Sequence, residues 1–243
     1  MARYAMLTDL RKCVGCEACT AACNAEWSVP AGKARTNVRK TPVKGRFPEL
    51  SSSVYVAQCN HCDKPTCISV CPADATFKNA DGIVQIDRDL CIGCGNCVEA
   101  CPYDARYMDP VADVADKCDF CAPRIARGEM PVCVTTCTAH AKFFGDLDDP
   151  SSEIHRMIKA GKARRIETAA IAIGPNAYFI GKPAQLDLVQ STFPPREPRL
   201  PVTGESHWRK VNPLLLAAIP SALPPKVVAF WNQIRRLERT RDV

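Results

Sequence analysis

Sixteen cysteines in four groups of four constrain this chain more than anything else in it. They stand at 13, 16, 19 and 23; at 59, 62, 67 and 71; at 91, 94, 97 and 101; and at 118, 121, 133 and 137. None is left over, and none lies beyond residue 137 of 243. Cysteine that only fills cores would be scattered. Disulfides fit poorly, because partners two residues apart close tiny strained loops and stapling serves much smaller chains. Structural zinc sites combine two ligand pairs across a spacer, often with histidine. Here three cysteines recur within seven residues. The run C-x2-C-x2-C-x3-C-P marks iron–sulfur ligation instead, and CIGCGNCVEACP at 91–102 matches it at every position. The other three groups are close variants.

In that run Cys91, Cys94 and Cys97 wrap one face of a cubane, with Gly93 and Gly95 letting the backbone come close. The chain then turns helical, so Cys101 points away and reaches another cluster, as in two-cluster ferredoxins. Pro102 stops the helix. Carried through, this assigns Cys59, Cys62, Cys67 and Cys101 to one cluster, and Cys91, Cys94, Cys97 and Cys71 to a second. The first and fourth groups flank that unit and pair by the same logic. Cys13, Cys16, Cys19 and Cys137 then hold a third cluster, and Cys118, Cys121, Cys133 and Cys23 a fourth. The expectation is four 4Fe–4S clusters with sixteen cysteine ligands. Four residues separate Cys62 from Cys67, and the helix-like APRIARGEMPV separates Cys121 from Cys133, but every group keeps its final C-x3-C. Asn24 and Thr138 stand where the third group has Pro102.

The repeat predicts an α+β fold of two pseudo-symmetric, ferredoxin-like two-cluster units. The inner unit is 54–110; the outer unit combines 1–53, which carries a basic insertion, with 111–181. A Pro-rich extended tail, 182–243, ends in a short amphipathic helix. Residues 4–8, 54–57, 83–86 and 142–145 read as strands, with a tight turn at Asp81-Gly82. TAAC, VEAC and VTTC read as helical turns. Residues 149–161 read as a helix capped by Asp149 or a following serine, with Pro150 in its first turn and Gly161 at its end. The insertion at 24–53 carries Lys33, Arg35, Arg39, Lys40, Lys44 and Arg46, and suits a solvated loop and a docking surface equally. The tail holds nine of the 20 prolines. Near its end Val227, Phe230, Trp231, Ile234 and Leu237 fall at helical spacing, which suits a helix on a partner, at a membrane interface or against its own domain.

The formal net charge of +6 counts thiols as neutral. Four clusters at about −2 each take it to about −2, so nucleic acid is not an expected partner. No stretch approaches eighteen consecutive apolar residues, and MARYAMLTDLRK runs into the first group without an apolar leader region. A soluble or peripheral chain is expected. His61 and His140 sit beside ligands, but cysteine fills every set, which leaves them hydrogen-bonding or surface roles. Lys12 and Lys117 each precede a first ligand; such a cation raises a cluster's potential, and a solvent-facing lysine reads equally well. There is no phosphate loop, no catalytic triad candidate and no substrate-pocket signature. No catalytic residue is expected, and one-electron transfer is the only chemistry written here. A freestanding soluble polyferredoxin and a zinc-dependent binding module are the competing readings.

RYAMLTDLRKCVGCEAC, CNHCDKPTCISVCPADAT, CPYDARYMDP, ADKCDFCAPRIARGEMPVCVTTC and KFFGDLDDPSSEI together resemble the iron–sulfur subunit of molybdopterin oxidoreductases of the dimethyl sulfoxide reductase family. The nearest flavour is tetrathionate, polysulfide or thiosulfate reductase. The resemblance covers residues 3–181. It implies a large catalytic subunit carrying a bis-molybdopterin guanine dinucleotide cofactor, and an integral membrane anchor that exchanges electrons with quinone or a cytochrome. It places the outer-group clusters toward the catalytic subunit and the inner-group clusters toward the membrane, with no substrate on this chain. It also implies a peripheral position on the periplasmic face, by co-export with a signal-bearing partner; the cytoplasmic face fits the sequence equally. The partner decides the substrate and the direction of electron flow.

Overall fold

Every residue of Tyr4–Asp9 after Tyr4 is buried, and the segment is strand β1. A strand covered on both faces needs partners along both edges. It finds them far down the chain in the computed structural model, which describes residues 2–161 and 163–199. The first cysteine group leads into α1 (Ala18–Glu26), followed by β2 (Thr36–Lys40), β3 (Lys44–Arg46), β4 (Glu49–Ser51) and β5 (Val54–Gln58). The second group carries α2 (Thr66–Ser69), then β6 (Thr76–Lys78) and β7 (Val84–Ile86). The third carries α3 (Asn96–Glu99), then β8 (Tyr107–Asp109) and β9 (Val114–Asp116). The fourth carries α4 (Ala122–Ile125) and α5 (Val132–Thr135). Last come β10 (Lys142–Asp146), α6 (Glu153–Lys159), β11 (Ala163–Arg164), β12 (Ala177–Ile180) and α7 (Pro183–Thr192).

The largest sheet among the described residues has the order β10-β1-β12-β11. β10 runs antiparallel to β1, with Met6 opposite Phe144, and β12 runs parallel to it, with Met6 opposite Ala177. Residues before the first cysteine group and after the last therefore share one sheet. The pleat sends alternate side chains to opposite faces. Ala5 and Leu7 pack with Ile154, Tyr178 and Ile180 under α6. Met6 points the other way, into a cluster with Cys19, Cys59, Cys118, Cys133 and Phe120. Two-stranded pairs β2–β5, β3–β4, β6–β7 and β8–β9 carry the rest. The short helices and small sheets give the expected α+β class.

Strands β1, β5, β7 and β10 fall where the sequence puts them, each within one residue at either end. Helix α6 is shorter than 149–161. Asp149 Oδ1 accepts from the Ser151 N–H and hydroxyl, closing a local turn, so the helix starts after Ser152 and Pro150 lies outside it. The 24–53 insertion is not a plain loop: it folds into β2, which pairs with β5, and the projecting β3–β4 hairpin. Nor does an extended tail begin at 182. Pro183 occupies the first turn of α7, where its missing N–H costs nothing, and Leu186 and Val189 are buried against Tyr55 and Phe179. Proline content alone read this stretch as extended, although the other prolines follow the helix. The amphipathic helix expected around 227–237 lies outside the described residues.

Asn176 ties the sheet to the second cysteine loop. Its carbonyl accepts from Met6 N, its N–H donates to Asn60 O (2.7 Å), and its side-chain amide donates to His61 O and Asp63 Oδ1 (2.9 Å each). Truncation leaves a buried carbonyl unpaired. Asn176→Ala is expected to cost about 1–3 kcal/mol, measured as a lowered thermal midpoint; an unchanged midpoint would show that the clamp is not needed.

Candidate metal centre

One backbone device recurs in all four cysteine groups. The residue just before the second cysteine is left-handed: Gly15 (φ 68°), His61 (45°), Gly93 (73°) and Phe120 (55°). Such a turn aims successive N–H groups inward and makes an anion-binding nest. A second left-handed residue follows the last cysteine in three groups, at Asp74 (50°), Asp104 (52°) and His140 (45°). The N–H groups of Ala105 and Ala141, just beyond, donate to Cys101 Sγ (3.5 Å) and Cys137 Sγ (3.3 Å). After Cys23 this turn is missing, because α1 runs on to Glu26 where the other groups have stopped. Phe120 N and Ala115 N donate to Cys118 Sγ and Cys91 Sγ (3.4 Å each). Gly93 is required twice over, since a Cβ there would stand 2.4 Å from Asp113 O. For His61 and Phe120 the left-handed backbone costs about 1–2 kcal/mol each. Their buried rings lie 3.7 Å apart, so packing holds both strained turns in place.

The sixteen thiols are free, and twelve of them are buried. Cys13 and Cys137 are half-buried; Cys16 and Cys94 are exposed. The structure brings the thiols into four neighbourhoods. Burial raises Cys13, and the charges of Cys137 and Cys16 add to it. Burial pushes Cys23 up to about 12, with Cys133 and Cys121 as its charged sulfur neighbours. Cys62 is raised by burial and then by Cys59, Cys101 and Cys67; Cys94 by burial and then by Cys97, Cys71 and Cys91. Two electrostatic interactions reach between neighbourhoods, since the charge of Cys133 acts on Cys19 and that of Cys59 on Cys118. Among the described residues no three His, Cys, Asp or Glu side chains converge as ligands of a single ion would. Thiols held this high ionise only where positive charge, from a bound metal centre or a neighbouring cation, lies against them.

The positive side of the site was not foreseen. Lys142, Lys117 and Arg106 are 4%, 3% and 5% exposed. An unpaired charge buried this far is strongly destabilising. Burial works against the Lys142 charge, but Cys133, Cys19 and Cys118 outweigh it and hold its pKa above the usual lysine value. Burial likewise opposes Arg106, and Cys67, Cys97, Cys59 and Cys101 outweigh it. Arg106 also donates to Cys67 Sγ at 3.0 Å. A fourth cation, Arg35, is paired with Asp116 (2.9 Å) and lies 5.3 Å from the Trp27 ring, whose indole N–H donates to Cys121 Sγ (3.3 Å). The donor set, the inward amides and the buried cations all fit iron–sulfur clusters, whose net charge is negative.

Of the two lysines singled out by position, Lys12 is exposed, 5.6 Å from the Phe143 ring, and Lys117 is buried. His61 is fully buried. Its Nδ1 accepts from Val84 N (2.9 Å), which places the proton of the neutral ring on Nε2. Burial first, then Lys117 and Arg106, keep its pKa well below the usual histidine value. Nothing in the sequence separates Lys142 or Arg106 from ordinary surface cations. Their one signal is place: Arg106 closes the CPYDAR run after a ligand, and Lys142 starts a strand five residues after another.

Residues 51–147 match the 4Fe-4S dicluster domain family. The chain is 41% identical over 181 residues to the tetrathionate reductase B subunit of Salmonella typhimurium, covering 74% of this chain and 72% of that one. It is 44% identical over 180 residues to the polysulfide reductase B subunit of Wolinella succinogenes, covering 73% and 94%. It is 41% identical over 180 residues to protein NrfC of Escherichia coli, covering 73% and 80%.

Exposure orders the thiols by reactivity. After chelation of iron from the folded protein, a short iodoacetamide pulse is expected to alkylate Cys16 and Cys94 first, as mapped by mass spectrometry. Earlier labelling of Cys59 or Cys118 would contradict the burial pattern.

Proposed function

We infer the function from a fixed point: this protein belongs to the family of 4Fe–4S dicluster subunits that includes the B subunits of tetrathionate reductase and polysulfide reductase. It relays single electrons through four 4Fe–4S clusters, in a respiratory complex of sulfur-oxyanion or related metabolism. One end meets a large molybdopterin catalytic subunit. The other meets an integral membrane partner that reacts with quinone or a cytochrome. When bound, each cluster takes up and gives back one electron. Catalysis and substrate belong to the partner.

The observation that carries this reading is the order of the cysteine neighbourhoods. Cys13, Cys16, Cys19 and Cys137 form the first set, and Cys19 touches the field of Cys133. Cys118, Cys121, Cys133 and Cys23 form the second, and Cys118 touches that of Cys59. Cys59, Cys62, Cys67 and Cys101 form the third, and Arg106 joins it to Cys97 of the fourth set, Cys91, Cys94, Cys97 and Cys71. The two exposed cysteines, Cys16 and Cys94, belong to the terminal sets. A row buried in the middle and open at both ends is what electron passage between two partners needs. The β1–β10 pairing supports an outer unit built from 1–53 and 111–181 around an inner unit at 54–110. We place the Cys16 end toward the catalytic subunit and the Cys94 end toward the membrane. Among the described residues no helix is long and apolar enough to cross a membrane. We place the chain peripherally, on the periplasmic face by co-export with its partner.

Purified under anaerobic conditions, the protein is expected to contain about sixteen iron and sixteen sulfide per chain, and to co-purify with a molybdenum-containing subunit. About eight of each would remove the outer pair, and a stable monomer with no such subunit would favour a free polyferredoxin. Cys23→Ser is expected to alter the signal of the cluster held by Cys118, Cys121 and Cys133 and to spare the one held by Cys13, Cys16 and Cys19. The reverse pattern would refute the pairing.

A further inference from the structure

Among the described residues, three cations lie deep in the chain with no carboxylate against them. Lys142 Nζ donates to Gln58 Oε1 (2.7 Å), Lys117 Nζ to the carbonyl oxygens of Val84 and Cys118, and Arg106 to Thr76 Oγ1 (3.2 Å) and Cys67 Sγ (3.0 Å). These partners are neutral oxygens and one thiol. Among the described ion pairs none includes any of the three, whereas the half-buried Arg35 is held by Asp116 and Asp119. The lone cations are regularly placed. Lys142 stands by Cys19 of the first set and Cys133 of the second. Lys117 adjoins Cys118 of the second set, and its field reaches Cys67 of the third. Arg106 touches Cys67 of the third set and faces Cys97 of the fourth. Each junction in the row has one cation.

We propose, resting on the four-cluster reading, that Lys142, Lys117 and Arg106 are fixed positive charges that raise the reduction potentials of the centres flanking each junction and so level the row. The reason is local. A centre that gains an electron becomes more negative, and burial makes that costly because no water answers the added charge. Cys16 and Cys94 leave the end sets in contact with solvent, which screens charge. The interior has no such relief, and it is there that the cations sit. A fixed charge at contact distance in a dry environment acts strongly on its neighbours and weakly on centres farther along the row. Lys12, beside Cys13 but exposed, lacks that leverage.

The test is an anaerobic redox titration of the intact, cluster-loaded protein, with dithionite as reductant and paramagnetic resonance as readout. Iron is counted first: about sixteen per chain in the wild type keeps the four-cluster reading, and about eight removes that reading and the proposal with it. Lys142→Met is then expected to shift the signals of the first two centres to lower potential and leave the fourth unmoved. Lys142→Arg restores the wild-type titration, which a purely structural role for the side chain would not do. Arg106→Gln is expected to lower the third and fourth centres and leave the first in place, and it decides the matter if Lys142→Met loses iron. Full iron content with unmoved potentials in these neutral variants would overturn the proposal and leave the four-cluster reading standing. So would an equal shift at all four centres, or an equally large one in Lys12→Met.

Discussion

Sulfur that must carry negative charge inside a protein is the constraint from which the rest follows. Twelve of the sixteen thiols are buried, and burial, with Cys133 and Cys121 as sulfur neighbours, holds Cys23 at about 12. Such groups do not ionise unless something opposite in charge lies against them. A metal centre supplies part of this. The chain supplies the rest, through left-handed turns that aim N–H groups at sulfur and through cations admitted to the interior. That explains two otherwise costly features. His61 and Phe120 accept strained backbone where glycine serves in the sister loops, and Lys142 and Arg106 lie buried with no carboxylate partner among the described residues. Each is unfavourable by itself, and together with an anionic cluster they balance.

The same constraint shapes the topology. A loop that wraps a cluster cannot itself bring back a fourth ligand once it has become helical. The last cysteine of each group is therefore free to serve a partner group, and the two outer groups, 13–23 and 118–137, lie far apart in sequence. The β10-β1-β12 sheet brings them together by pairing the strand before Cys13 with the strand after Cys137. Helix α1, which carries Cys23, packs on α5, which carries Cys133. The core between them is assembled from Met6, Cys19, Cys59, Cys118, Phe120 and Cys133, with no single group owning it. Sheet, helices and sulfur sets thus form one cooperative body.

Much of this was legible in the sequence, for a physical reason. Cluster ligation is a local, spacing-coded demand, so the four cysteine groups declare themselves, and the short strands expected at 4, 54, 83 and 142 follow from short apolar runs rich in β-branched and aromatic residues. What stayed hidden depends on three-dimensional context. Lys12 and Lys117 occupy the same place relative to a first ligand, yet one is exposed and the other buried, because Lys117 leads out of the buried β9 strand. Lys142 sits among apolar residues like any strand lysine whose head reaches water, and only its Gln58 partner shows otherwise. Helix α7 was masked by the prolines beyond it. Asn176 carries no signal at all, since its clamp on the 60–63 loop exists only after folding.

We propose four quartets standing in one row, each completed by a cysteine from a paired group. An iron-edge anomalous diffraction map of the intact protein tests it most directly. Four separate iron centres in a line are expected, with Cys16 and Cys94 on the two terminal ones, Cys137 on the centre held by Cys13, and Cys23 on the centre held by Cys118. Two centres only, or a centre whose four ligands all come from one cysteine group, would contradict it.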